Sequence, residues 1–355
     1  MMNVVENKRK ELGIKVYDLA NLLGIDASLM SRILSGKRKP TDAQLHKLAE
    51  VLSIDYREII KGKLENDVVE ILKKYPTVAE EVLLAAEERL TYLTSRDKFN
   101  VIAFSESVSS RLERLTHLQK EWADRKPLNP TQLLKMKEYF YTEYTYESNR
   151  IEGNTLNLQE THLVVNEGIT IGGKSMKEHL EVINHQEAIH LISDLVASKV
   201  DFSEHVLRQI HQLVLKSIDP RNAGVYRSIP VRISGSKHVP AEPYMIHKLM
   251  EEYFVFYNLQ KNVLHPVILA AEMHERLVSI HPFVDGNGRT SRLVMNLILL
   301  LNGYTIVNLK GSLENRQRYY KSLEAVQVNH ESEDFYSLIT EFAIKSLEEH
   351  IALAG

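Results

Sequence analysis

The sequence predicts a mainly α-helical protein of more than one domain. Apolar residues recur at helical spacing through most of the 355 positions, the primary sign of amphipathic helices. Proline and glycine are sparse at 10 and 15 residues, so few points punctuate the chain. One stretch departs from this pattern. "YRSIPVRISGSKHVP" carries β-branched residues on both sides of Ser234 to Lys237 and predicts a β-hairpin. At this length two or three domains are expected. The formal net charge of −3 favours neither nucleic acid nor membrane. Cysteine is absent, which excludes disulfides and thiolate metal sites and suits a reducing compartment. "MMNVVENKRKELG" lacks the apolar stretch of a signal peptide, and no apolar run approaches the ~20 residues of a membrane span. The expectation is a soluble, cytoplasmic protein with no membrane partner.

Residues 1–62 read as short helical patterns separated by turn signals. In "VYDLANLLGIDASLMSRIL" the small Ala20 is followed four residues later by Gly24, then by the apolar Met30 and Ile33. A helix-turn-helix needs this arrangement: the small residue lets two helices cross, glycine permits the turn, and the later apolar positions seat the second helix. Here the sequence resembles the helix-turn-helix domains of phage repressors and Cro proteins, and the likeness continues through "SGKRKPTDAQLHKLAEVLSID". That resemblance implies a five-helix DNA-binding domain. Its reading positions would be Ala27, Ser28 and Arg32, with Arg32 alone able to grip guanine bidentately. Lys37, Arg38 and Lys39 follow as phosphate contacts. The segment holds 11 Lys and Arg against 8 Asp and Glu, a basic balance in a chain that is acidic overall. The alternative is a protein-interaction domain with a solvated charged face.

From "KLENDVVEILKKYPTVAEEVLLAAEERLTYL" the helices lengthen and carry more charge, which marks 63–125 as a helical connector. "RKPLNPTQ" then opens the last part, 126–355, with an Asn-Pro turn at Asn129 and Pro130. Its densest chemistry is "HPFVDGNGRTSR", residues 281–292, directly ahead of the apolar run "LVMNLILLLNGY". Glycines before a helix make a turn whose N–H groups converge on an anion, and the helix adds its positive dipole end. That helix is expected from about Arg289 to Asn302, stopped by Gly303. Arg289 and Arg292, three apart, project from one face of its first turns and suit a polyphosphate. Asp285 beside the nest is placed as Mg²⁺ is held, by one or two protein oxygens plus phosphates. His281 can accept a proton near neutral pH. Together these describe nucleotidyl or phosphoryl transfer. The bland reading is a helix N-terminus with structural glycines.

At these residues the sequence resembles the Fic family, whose signature is His-Pro-Phe, two residues, Gly-Asn-Gly-Arg, two residues, Arg. Every fixed position from His281 to Arg292 matches. The resemblance implies a mostly helical fold that transfers AMP from ATP to a hydroxyl side chain of a target protein, with Mg²⁺. It makes His281 the base and Asp285 the metal ligand. Gly286, Asn287 and Gly288 would hold the α- and β-phosphates with Arg289, and Arg292 would reach the γ-phosphate. "GVYRSIPVRISGSKHVPAEP" is similar to the hairpin flap that covers the family's site and pairs with a target by its edge. "ENRQRYYKSL" is similar to the segment lining the nucleoside pocket and makes Tyr320 a candidate adenine contact, though a core aromatic fits equally. His274 is set aside as a metal ligand because no third ligand accompanies it.

Upstream, "SNRIEGNT" places Ser148, Glu152, Gly153 and Asn154 in the pattern of the family's inhibitory helix. The resemblance implies that Glu152 pairs with Arg292 and blocks seating of the γ-phosphate, since one arginine cannot serve a buried carboxylate and a phosphate at once. The leading expectation is therefore an autoinhibited protein adenylyltransferase. One alternative is an AMP-removing enzyme in which Glu152 orients water. Another is a DNA-binding regulator whose Fic domain senses nucleotide, although the intact His281 favours an enzyme. The expected partners are ATP, a hydroxyl-bearing protein target, a DNA operator and, as a homodimer, a second copy of the chain.

Overall fold

The structure, a computed structural model, describes residues 2–83, 104–233 and 235–355, and the chain divides into two compact units, Met1–Asn100 and Val101–Gly355. Both are helical, and no strand occurs among the described residues.

The first unit contains α1 (Met2–Glu11), α2 (Val16–Leu23), α3 (Ala27–Leu34), α4 (Asp42–Leu52) and α5 (Tyr56–Leu72). Gly24 ends α2 in the left-handed conformation, φ 73°, which glycine adopts without a Cβ penalty. Asp26 then caps α3, its carboxylate accepting from the Ser28 and Leu29 amides at 2.6 and 3.2 Å. Ala20, Met30 and Ile33 are buried together with Leu19, Leu45, Leu48 and Leu52. The expected crossing of α2 on α3 is present, and Ala20 lies in the core beneath it.

The second unit contains α6 (Glu106–Asp124), α7 (Pro130–Ile151), α8 (Leu158–Glu167), α9 (Met176–Ala197), α10 (Glu204–Leu215), α11 (Ile246–Gln260), α12 (Pro266–Ile280), α13 (Asn287–Leu301), α14 (Leu313–Glu324) and α15 (Glu333–Ala354). Helix α6 falls within the 63–125 stretch read as a connector. It buries Val108, Leu112, Leu115 and Trp122 and packs along α15. Helix α7 starts where the Asn-Pro turn predicts: Asn129 accepts from the Thr131 amide at 2.9 Å, with Pro130 at the first helical position. The pair α12 and α13 forms the centre. From Arg289 to Leu299 every residue of α13 is buried, as a helix enclosed on all sides must be. Helices α7, α9, α10 and α12 pack around it. The 281–286 loop thus joins two core helices, so its backbone is held from both ends.

The expected hairpin flap is not formed. Residues 225–242 form no backbone ladder among the described residues, bending at Ser228, Ile229 and Lys237, and Ser234 lies outside them. The cause lies in the donors and acceptors. Pro230 and Pro240 supply no N–H. The carbonyls of Ile229 and Ala241, one from each arm, both accept from the Arg227 guanidinium rather than from an opposite strand.

Candidate active site

His281 follows the last residue of α12 and takes φ 52°, a left-handed conformation that is rare for a residue with a Cβ. Its Nδ1 is 3.3 Å from the Val278 carbonyl. An N–H there leaves Nε2 as the basic nitrogen. Burial drives the ring pKa down to about 4, opposed by the Val278 carbonyl and reinforced by Arg227 and His238. At neutral pH the imidazole is therefore uncharged and ready to accept a proton.

The loop after it is stapled by Asn287. That side chain accepts from the Phe283 amide at 3.0 Å and donates to the Phe283 carbonyl at 2.9 Å. Both ends of its amide are thus tied to Phe283, which holds the turn in shape. Gly286 sits at φ 76°, and no side chain caps α13. The first-turn N–H groups consequently lack intrahelical acceptors and carry the positive end of the helix dipole. Asp285 is more than half exposed beside them and accepts from the Gly286 amide at 2.6 Å. Arg289 is buried, and its Nε and Nη1 have no hydrogen-bond partner. Its nearest carboxylates are Glu181 of α9 at 3.5 Å and Asp285 at 3.6 Å. A buried guanidinium with unused donors beside open helix N–H groups is built to receive an anion.

Arg292 is 1% exposed. Its Nε donates to Ser148 Oγ at 3.0 Å, and its Nη2 donates to the Ser148 carbonyl at 2.9 Å and to Glu152 Oε1 at 2.6 Å. Burial works against the guanidinium charge, yet Glu152 and the neighbouring Tyr319 raise its pKa above the ordinary range. Glu152 occupies the C-cap of α7. A methyl group placed on Gly288 would collide with the Glu152 carboxylate, so that carboxylate lies directly against the glycine turn. Tyr320 is 42% exposed, and its hydroxyl donates to the Ile151 carbonyl at 3.0 Å, next to Glu152. His274 is committed elsewhere: its Nε2 is 2.9 Å from the Tyr319 hydroxyl, and burial holds its pKa down at about 3.

The structure therefore brings together His281, Asp285, Gly286, Asn287, Gly288, Arg289, Arg292, Ser148, Glu152 and Tyr320. Ala27, Ser28, Arg32, Lys37 and Arg38 belong to the other unit, on and just after α3. Ala27 is half-buried and the rest are exposed. Arg32 folds back on Ser28, with Nη2 to Oγ at 3.2 Å.

Three residues without a sequence signal also shape the site. Glu181 approaches Arg289 and accepts from Asn154 at 2.9 Å. His211 of α10 accepts from the Gly224 amide at 2.8 Å and reaches the Asp285 carbonyl at 3.0 Å, stacked 3.6 Å from the Phe283 ring. Arg227 bonds the His281 carbonyl at 2.7 Å.

The Fic/DOC family model matches residues 201–299, and a helix-turn-helix model matches residues 5–59. Among solved structures, a Fic domain containing signaling protein from Bacteroides thetaiotaomicron is 30% identical, with a TM-score of 0.61 over 68% of this chain and 97% of that one. Fic-1 of C. elegans, residues 134–508, is 26% identical, with a TM-score of 0.62 over 92% of both chains. The protein adenylyltransferase Fic of Drosophila grimshawi is 37% identical over 193 residues, and that of Culex quinquefasciatus 37% over 194. Those alignments take in 54% of this chain but only 39% and 38% of the insect proteins. The second unit with its 281–292 motif, the two family matches and the likeness to the Bacteroides protein together establish that the chain belongs to the Fic/DOC family and carries a helix-turn-helix domain near its N-terminus.

Proposed function

We propose that the chain is a protein adenylyltransferase that moves AMP from ATP to a Ser, Thr or Tyr hydroxyl of a target protein or of itself, and that Glu152 restrains it. The observation that carries this reading is the Glu152–Arg292 pair closed over the glycine turn, between a neutral His281 and an Arg289 with unused donors.

His281 Nε2 takes the proton of the target hydroxyl. The freed oxygen bonds to the α-phosphorus as the bond to the β-phosphate oxygen breaks, and pyrophosphate leaves. The main-chain N–H groups of Gly286, Asn287 and Gly288 and the Arg289 guanidinium hold the phosphates. Arg292 reaches the γ-phosphate once Glu152 withdraws. Tyr320 borders the nucleoside. A single exposed carboxylate next to a phosphate cradle fits Mg²⁺, which takes one or two protein oxygens and completes its shell with phosphates and water. Asp285 would hold it, and the ion would neutralise phosphate charge.

Intact-mass measurement of the full chain after incubation with each nucleoside triphosphate and Mg²⁺ tests the reading. An AMP adduct with ATP, greater for Glu152→Gly than for the native chain, is the expected result; no adduct on the chain or on lysate proteins from either one overturns it.

The reverse reaction has its own support. Only Oε1 of Glu152 meets Arg292, and among the described residues Oε2 has no hydrogen-bond partner, so it can orient water against an AMP-modified substrate. The helix-turn-helix domain is proposed to bind a DNA operator through Ala27, Ser28 and Arg32, with Lys37 and Arg38 on phosphates. The exposure of Arg32 and of the basic turn supports this.

A further inference from the structure

Arg227 is 4% exposed. Among the described residues no carboxylate lies within ion-pair distance of it. Each guanidinium nitrogen instead donates to a different main-chain carbonyl: Nε to His281 at 2.7 Å, Nη1 to Ile229 at 3.0 Å and Nη2 to Ala241 at 2.5 Å. Its own amide donates to the Pro282 carbonyl at 2.9 Å. One residue therefore fixes two successive peptides of the 281–286 loop and ties both stems of the 229–241 segment. Burial works against its charge, and Glu242 offsets part of that cost from beyond ion-pair distance. Three of the five guanidinium N–H donors, one on each nitrogen, are given to main-chain carbonyls.

The peptide it holds is one that would otherwise relax. His281 is left-handed with φ 52°, a conformation that persists in a residue with a Cβ only where its surroundings hold it. Pro282 behind it narrows the alternatives further. The far end of the segment is anchored separately, where His238 Nε2 meets the Ser279 carbonyl at 2.8 Å.

We propose that Arg227 is a positioning residue for His281. Its planar fork holds the His281 peptide in the left-handed conformation that aims the imidazole, and it closes the 229–241 segment at the same time. This rests on the reading of His281 as proton acceptor. Lysine cannot substitute, because one ammonium on a flexible stem does not span three fanned carbonyls.

The charged groups facing His281 are Arg227 and His238 from the 225–242 segment and Glu152 from α7, with the Val278 carbonyl on its own helix. Arg227 adds to the burial that lowers the His281 pKa, so a neutral replacement releases part of that depression.

The test uses the full chain and two variants, Arg227→Lys and Arg227→Gln. Four quantities are read: AMP-transfer kinetics, ATP binding by calorimetry, melting temperature, and titration of His281 by NMR of labelled histidine, assigned with His281→Ala. In both variants kcat falls roughly 10- to 100-fold, the range in which a displacement of about 1 Å acts, while ATP affinity and melting temperature hold. The His281 midpoint moves to higher pH in Arg227→Gln and stays near its native position in Arg227→Lys. Folded variants with native kcat and an unmoved His281 titration overturn the proposal. If neither the native chain nor Glu152→Gly transfers AMP, the adenylyltransferase reading fails, and the titration alone decides whether Arg227 governs His281.

Discussion

Replacing Glu152 with glycine removes the carboxylate from Arg292 and leaves the guanidinium its two contacts with Ser148, the Oγ at 3.0 Å and the carbonyl at 2.9 Å. Breaking a fully buried ion pair costs about 3–5 kcal/mol, and an exposed pair is worth about 0–1 kcal/mol. Here Arg292 is 1% exposed and the Glu152 side chain 32%. The pair therefore belongs between these limits, at about 1–3 kcal/mol in favour of the closed arrangement. At tenfold per 1.4 kcal/mol, its loss raises AMP transfer roughly 5- to 150-fold. Initial rates of adduct formation, with ATP saturating, measure the gain. Glu152→Gln should give a smaller gain, because it removes the charge but keeps a hydrogen-bonding group against Gly288. Arg292→Ala should not mimic the activation, since it loses the phosphate contact along with the lock. The AMP-removing reaction carries the opposite sign: there the glycine variant slows release of AMP from a modified substrate. Transfer and removal rates both unchanged in Glu152→Gly would refute the control model and leave α7 a purely structural helix.

His281→Ala should abolish transfer while ATP still binds, because the cradle is main chain and arginine; calorimetry and intact mass on the same sample check both halves. Arg32→Ala should cost roughly 1–3 kcal/mol on the cognate operator if Arg32 contacts a base; equal weakening on unrelated duplexes would assign it to phosphate instead. Chain stability should fall as pH drops from 6.5 toward 4. Burial holds His265, His281 and His350 down at about 4 when folded, whereas unfolded histidine titrates near 6.5. The unfolded state thus binds more protons in that window, and stability present above pH 6.5 is lost through it. One such group contributes about 2 kcal/mol of loss by pH 5, and a melting temperature constant from pH 7 to 5 would contradict these burials.

What the sequence makes legible is what is local. The 281–292 stretch announces itself because turn, helix start and charged groups must be adjacent to build an anion cradle, and adjacency is visible in one dimension. The same holds for Ala20, Gly24 and Ile33, whose spacing is the geometry of the α2–α3 turn. The pairing of Glu152 with Arg292 is not local, and only the resemblance of "SNRIEGN" to a known pattern brings it within reach. Arg227 and His211 have no such signal. Their partners are main-chain carbonyls and amides, which every residue possesses, so no partner residue type betrays the contact. The failed hairpin expectation has the same origin. Alternating β-branched residues report a chain that prefers to be extended, but a ladder also needs carbonyls free to pair across it. Arg227 takes one from each arm, and Pro230 and Pro240 withhold donors. The 225–242 segment then depends on a side chain rather than on a strand for its position, and that side chain also grips the peptide of His281. A change that loosens the segment must therefore loosen the proton acceptor with it.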